Sequence, residues 1–85
     1  MALHVDGLND GATLARAPNA EHGVRLQLRA LGSEQAVDWL LDGRWIAQTR
    51  GSQLMQREFA EPGSHTLTAL AADGAWTQVR FNVLR

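Results

Sequence analysis

The sequence predicts an all-β fold, a sandwich of about seven short antiparallel strands, and three observations carry that prediction. Apolar and polar residues alternate with period two over residues 24–30, 65–71 and 76–83, which sends one set to a core and the other to solvent. Turn signals, chiefly Asp-Gly and Pro-Gly pairs, separate these runs at the 8–12-residue spacing of sandwiches. No segment carries an apolar stripe at helical spacing over the length of an ordinary helix.

Leu3-His4-Val5 reads as a short strand stopped by Asp6-Gly7, and Asn9-Asp10-Gly11 turns the chain into Thr13-Leu14-Ala15. The first fifteen residues are thus a broken edge strand. Residues 17–23 hold both Pro and Gly without any period and read as a loop. Val24, Leu26, Leu28 and Ala30 then share one face, with Arg25, Gln27 and Arg29 on the other.

The centre of the pattern is Ala36-Val37-Asp38-Trp39-Leu40-Leu41-Asp42-Gly43-Arg44-Trp45-Ile46-Ala47. Asp-Gly between two apolar runs is a strong hairpin signal, because a type I′ turn needs positive φ at both central positions. Spacing alone also fits a helix ended by Gly43. The flanking alternations favour strands, and parity then puts Val37, Trp39 and Leu41 inward and Asp38 and Leu40 outward.

Residues 48–52 read as a polar loop and residues 54–59 as an edge strand, with Arg57 snorkelling out between Met55 and Phe59. Glu61-Pro62-Gly63 is a turn, with Pro62 presetting φ and Gly63 supplying the left-handed position. His65, Leu67, Ala69 and Ala71 alternate inward, Asp73-Gly74 repeats the hairpin signal, and Val79, Phe81 and Val83 close the core. The expected core is Val24, Leu26, Leu28, Val37, Trp39, Leu41, Leu67, Ala69, Val79, Phe81 and Val83, with Met55 and Phe59 at its margin. An inward Trp on a central strand makes the sandwich immunoglobulin-like, without the disulfide that such a Trp often packs against.

Composition removes several chemistries. At 85 residues with 45% hydrophobic content the chain suits one small globular domain, residues 1–85. A net charge of -1 gives no basic footprint for nucleic acid, and no run is long and apolar enough for membrane insertion. The eight basic residues are all Arg, so neither Ser-x-x-Lys nor Lys-Thr-Gly exists and no penicillin-type acylation site can be assembled. With no cysteine there is no disulfide and no thiolate metal site. His4, His22 and His65 match no ligand spacing, so no metal and no cofactor is expected. Ser64 and His65 are neighbours on an extended segment and point apart, which makes them a poor nucleophile–base pair. Asp6, Asp10, Asp42 and Asp73 each lie at or near a Gly, which accounts for them as turn residues rather than as a glycosidase pair. No catalytic residue is expected.

Binding residues are sought on the outward register. Trp45 and Trp76 follow turns, and flat rings beside Arg44 and Arg80 suit sugar or peptide recognition. Both rings also have a purely structural reading, as covers for the open ends of the sandwich. Leu40 and Leu70 point away from the core and with Trp76 form an outward apolar patch of the kind that marks docking surfaces.

With the strands placed, Trp39-Leu40-Leu41-Asp42-Gly43, Pro62-Gly63-Ser64-His65-Thr66-Leu67, Asp73-Gly74 and Phe81-Asn82-Val83 form a pattern running from about Val5 to Val83. It resembles the small C-terminal domain of bifunctional class A penicillin-binding proteins of the 1C type. The resemblance implies an excised C-terminal domain of a longer, inner-membrane-anchored peptidoglycan glycosyltransferase–transpeptidase, located in the periplasm and without catalytic residues of its own. Trp39, Asp42, Gly43, Pro62, Gly63, His65 and Phe81 then serve as structural residues. The expected role is protein docking in cell-wall synthesis, with the parent's own catalytic domains or periplasmic cell-wall proteins as partners. The alternative is a module that grips peptidoglycan glycan or stem peptide through Trp45, Trp76, Arg44 and Arg80.

Overall fold

A computed structural model describes residues 3–15 and 23–84. It contains eight strands, β1 (His4–Asp6), β2 (Ala12–Leu14), β3 (Val24–Leu31), β4 (Ala36–Leu41), β5 (Arg44–Arg50), β6 (Met55–Phe59), β7 (Gly63–Ala71) and β8 (Trp76–Val83), and no helix among the described residues. They form a three-stranded sheet in the order β1-β3-β6 and a five-stranded sheet in the order β2-β8-β7-β4-β5. The sandwich is therefore as expected, with one strand more than the seven anticipated. One pairing is not antiparallel: β2 runs parallel to β8, with Ala12, Thr13 and Leu14 opposite Phe81, Asn82 and Val83. The broken N-terminal strand is the reason, since its two halves join different sheets.

The core lies between the facing sides of β3 and of β4, β7 and β8. Val37, Trp39, Leu28, Leu67 and Ala69 have no exposed surface. Met55 and Phe59 belong fully to the core rather than to its margin, and the Phe59 ring stands edge-on to Phe81 at 5.2 Å between centroids. Leu3, Val5 and Leu8 are buried as well, whereas Val24, Leu26 and Leu41 only pack partly against the cluster. The first group was hidden in a segment too broken to show alternation. The second lies toward strand ends, where three strands do not cover five.

The loop expected over residues 48–52 is shorter than that, because β5 continues through Arg50. The pairing of β4 with β5 shifts between Trp39 and Leu40: Leu40 faces Trp45, but Trp39 faces Ala47, leaving Ile46 as an extra residue. This bulge reverses the parity of the rest of β5. Thr49 turns inward to 7% exposure, and its Oγ1 accepts a 2.9 Å hydrogen bond from Trp39 Nε1. The polar stretch is thus strand because one hydroxyl is needed inside, where an indole N–H without a partner would be costly. Residues 17–22 of the other expected loop lie outside the described residues.

The Asp-Gly pairs at 42–43 and 73–74 both make hairpins, by different turns. Asp42 and Gly43 have φ of 52° and 84°, the two-residue type I′ geometry. At the second, Gly74 N donates to Ala71 O at 3.0 Å and Ala71 N donates to Ala75 O at 2.8 Å. Gly74 has φ 94° while Asp73 does not have positive φ. That is a three-residue loop, a tight turn closed by a left-handed glycine.

Candidate functional site

Strand register determines what the outer face of the five-stranded sheet presents. Leu70 pairs with Trp76 and Asp38, Asp38 with Gln48, Thr68 with Gln78 and Leu40, and Leu40 with Trp45. Directly paired residues share a face. Two rows result, Trp76-Leu70-Asp38-Gln48 and Gln78-Thr68-Leu40-Trp45. A half-turn about an axis between β4 and β7 exchanges Trp76 with Trp45, Leu70 with Leu40 and Gln48 with Gln78. The glutamines even make matching bonds, Gln48 Nε2 donating to Asp38 Oδ1 at 3.0 Å and Gln78 Nε2 to Thr68 Oγ1 at 3.2 Å.

Trp45 and Trp76 are each 61% exposed and Leu70 is 40% exposed, while Leu40 is half-buried. The indoles stand three strand spacings apart, about 14 Å across the sheet. Trp45 Nε1 donates to Asp38 Oδ1 at 3.1 Å, which holds its ring across the face. Both rings project from the outer face, and Trp45 also borders the cleft beside β6. Asp38 is the one charge inside the two rows, and two donors engage it.

The two arginines do not join the rings equally. Arg80 lies on the same face of β8 as Trp76, and its backbone N–H donates to Asp10 Oδ1 at 2.8 Å. Arg44 pairs with Leu41 and lines a cleft beside β6 instead. Asp38, Gln48, Thr68 and Gln78 are face residues that the sequence does not single out as binding candidates. Their outward parity was readable on β4, β7 and β8, but the bulge concealed it for Gln48.

Behind this face sits a polar clasp. His65, 8% exposed, has Nδ1 at 2.7 Å from Asp42 Oδ2 and Nε2 at 2.8 Å from Glu61 O. Thr66 N donates to Asp42 Oδ1 at 2.8 Å, and Asp42 N donates to Thr66 O at 2.8 Å. Both ring nitrogens face acceptors, so only the imidazolium can donate to each. The Asp42 hydrogen bond raises the His65 pKa against the opposing effect of burial, and the Glu61 carbonyl adds to the rise. Burial pushes the Asp42 carboxyl up, but the bonds from His65 and the Thr66 amide hold it below its ordinary value. The clasp ties the Asp42-Gly43 turn, the segment leading from Glu61 through Pro62 and Gly63, and β7 into one unit, with Phe81 tilted against the imidazole at 5.4 Å.

The described histidines do not converge: His4 is opposite Leu31 on β1, and His65 is opposite Phe81 on β7. Among the described residues no cluster of His, Cys, Asp or Glu could hold a metal ion.

The model of the Penicillin-Binding Protein C-terminus Family matches residues 1–81. No curated protein and no solved structure gives a significant match.

Proposed function

The chain belongs to the penicillin-binding protein C-terminus family, and from that premise we propose that it is a non-catalytic accessory domain that docks onto the catalytic portion of its own parent protein in the periplasm, during cell-wall synthesis. The paired Leu40–Trp45 and Leu70–Trp76 contacts on one sheet face carry this reading. Interface cores are depleted in charge and rich in aromatic anchors, and tryptophans are frequent hot spots. The two rows have that composition. A domain tethered to its partner also works at an effective concentration of about millimolar, so a modest face is enough. Bond-making chemistry has no support in these residues, since the chain contains no lysine and His65 is already engaged on both nitrogens.

The test is site-specific photo-crosslinking from position 68 in the full-length parent, with Leu70→Asp as the disrupting variant. The expected result is a crosslink within the parent that Leu70→Asp abolishes. Crosslinks unaffected by Leu70→Asp, or none to protein at all, would reject docking.

A second reading has its own support: exposed indoles with Arg80 on the same face suit a glycan or stem peptide of peptidoglycan. It expects co-sedimentation with purified sacculi, lost in the Trp45→Ala/Trp76→Ala double variant. Retention by that variant would dismiss it.

A further inference from the structure

The five-stranded sheet is wider than the sheet that covers it, and the mismatch leaves a cleft between the edge strands β5 and β6. Its volume is about 670 Å³, and Leu41, Arg44, Trp45, Ile46, Arg57 and Phe59 contribute to its walls. That volume lies within the range of small-ligand sites.

Arg57 is the anomaly in this cleft. Sequence parity sends it snorkelling outward, yet it is only half exposed, on the inward register between Met55 and Phe59. Its Nε is fully covered and has no hydrogen-bond partner. Such atoms are rare in native proteins, because burial removes water without replacing the bond. The neighbouring acids do not serve it. Asp42 accepts from His65 and Thr66, and Glu58 accepts from Arg25 at 2.8 Å. Glu61 offers its backbone oxygen to His65. Arg44, at the mouth, is exposed and makes no hydrogen bond or ion pair among the described residues. With Asp42 paired to His65 and Glu58 to Arg25, Arg44 and Arg57 outnumber the one other carboxylate of the cleft, that of Glu61, and the balance is one positive charge.

We infer that this cleft binds the carboxylate of an extended peptide, with the terminal guanidinium nitrogens of half-exposed Arg57 as the inner donors and Arg44 as the outer one. A carboxylate accepts from guanidinium groups in charge-assisted bonds stronger than neutral ones. The peptide character follows from β5, which among the described residues pairs only with β4 and so, apart from Arg50 N, which donates to Gln53 Oε1, offers edge N–H and C=O groups for strand addition. Trp45, Ile46 and Phe59 supply apolar walls for its side chains. The site shares Trp45 with the docking face but takes neither of its charged donors from it, so variants at Leu70 and Trp76 separate the two proposals.

The experiment follows Arg Nε–H and indole N–H resonances of the whole chain in ¹H–¹⁵N spectra during titration. The probes are N-acetyl-trialanine with a free carboxylate, the same peptide as its amide, and acetate. The free acid should shift Arg57 Nε–H and saturate, with the amide and acetate each binding at least about tenfold more weakly. Arg57→Met should lose at least tenfold in affinity while raising Tm by about 4 °C, because the orphaned donor is gone. Arg44→Gln, a surface change that leaves the core intact, should weaken binding several-fold. Leu70→Asp and Trp76→Ala should bind the peptide normally even where docking is lost. Equal affinity for the amide, acetate matching the tripeptide, or normal binding by Arg57→Met would each overturn the assignment.

Discussion

Asp42-Gly43-Arg44-Trp45 and Asp73-Gly74-Ala75-Trp76 are near-copies in sequence, and each makes a hairpin that sends its Trp onto the outer face. Their carboxylates nevertheless do unlike things. Asp73 Oδ1 accepts from Ala75 N, two residues away, at 3.0 Å and so braces its own loop. Asp42 is released from that local duty by the two-residue turn and reaches His65 and Thr66 on β7. Turn length decides whether an aspartate serves its own loop or joins two strands far apart in the chain. It also leaves the outward result unchanged, since Leu40 faces Trp45 and Leu70 faces Trp76 in both cases.

The most direct way to break this contrast is to remove the two carboxylates separately. Asp42→Ala strands a charged donor of nearly buried His65 and the Thr66 amide, and should cost about 2–3 kcal/mol in denaturant unfolding. Equal losses from Asp42→Ala and Asp73→Ala would make the turns equivalent and erase the distinction. Thr49→Val probes the first hairpin at its far end. Leaving Trp39 Nε1 unpaired should cost about 1–2 kcal/mol, with no counterpart available on β8.

The pH profile sharpens the contrast further. The folded-state pKa of His65 lies above its ordinary 6.5, so its stabilisation is complete below pH 6.5 and is lost as pH rises through the raised value. Asp42 lies below its ordinary 3.8, so its contribution is present above pH 3.8 and is lost as pH falls through the lowered value. Thermal stability should therefore hold between roughly pH 4 and 6.5 and decline on the alkaline side. His65→Gln should flatten that alkaline decline, and a wild-type Tm that does not change from pH 6 to 9 would contradict the clasp. Asp73→Ala is the smallest effect, under about 1 kcal/mol for one exposed local bond.

The comparison also shows what the sequence could reveal. Strand parity placed Trp39, Leu67 and Phe81 in the core and Leu70 and Trp76 outside it, because period-two alternation is a local property. The Ile46 bulge had no such signal: no Gly marks it, and its cause is the need of Trp39 for Thr49, ten residues away. The partnership of His65 with Asp42 spans 23 residues, so the Pro62-Gly63-Ser64-His65 motif read as a turn when half of its purpose lies in another hairpin. Arg57 lies on an edge strand as parity implies, but no local pattern in the sequence signals that its Nε is covered. The parallel β2–β8 pairing lay beyond local reading for the same reason.

That parallel pairing has a mechanical consequence. β2 comes early in the chain and β8 late, and they lie side by side with Gly11 N bonded to Arg80 O at 2.6 Å and Leu84 N to Leu14 O at 2.8 Å. Tension applied between the segment before Ala12 and the segment after Val83 would slide the two strands lengthwise. All the bonds joining them would then share the load together, whereas an antiparallel hairpin pulled at its ends opens one bond at a time. The seam that was hardest to foresee is thus the part of the fold best placed to resist stretching.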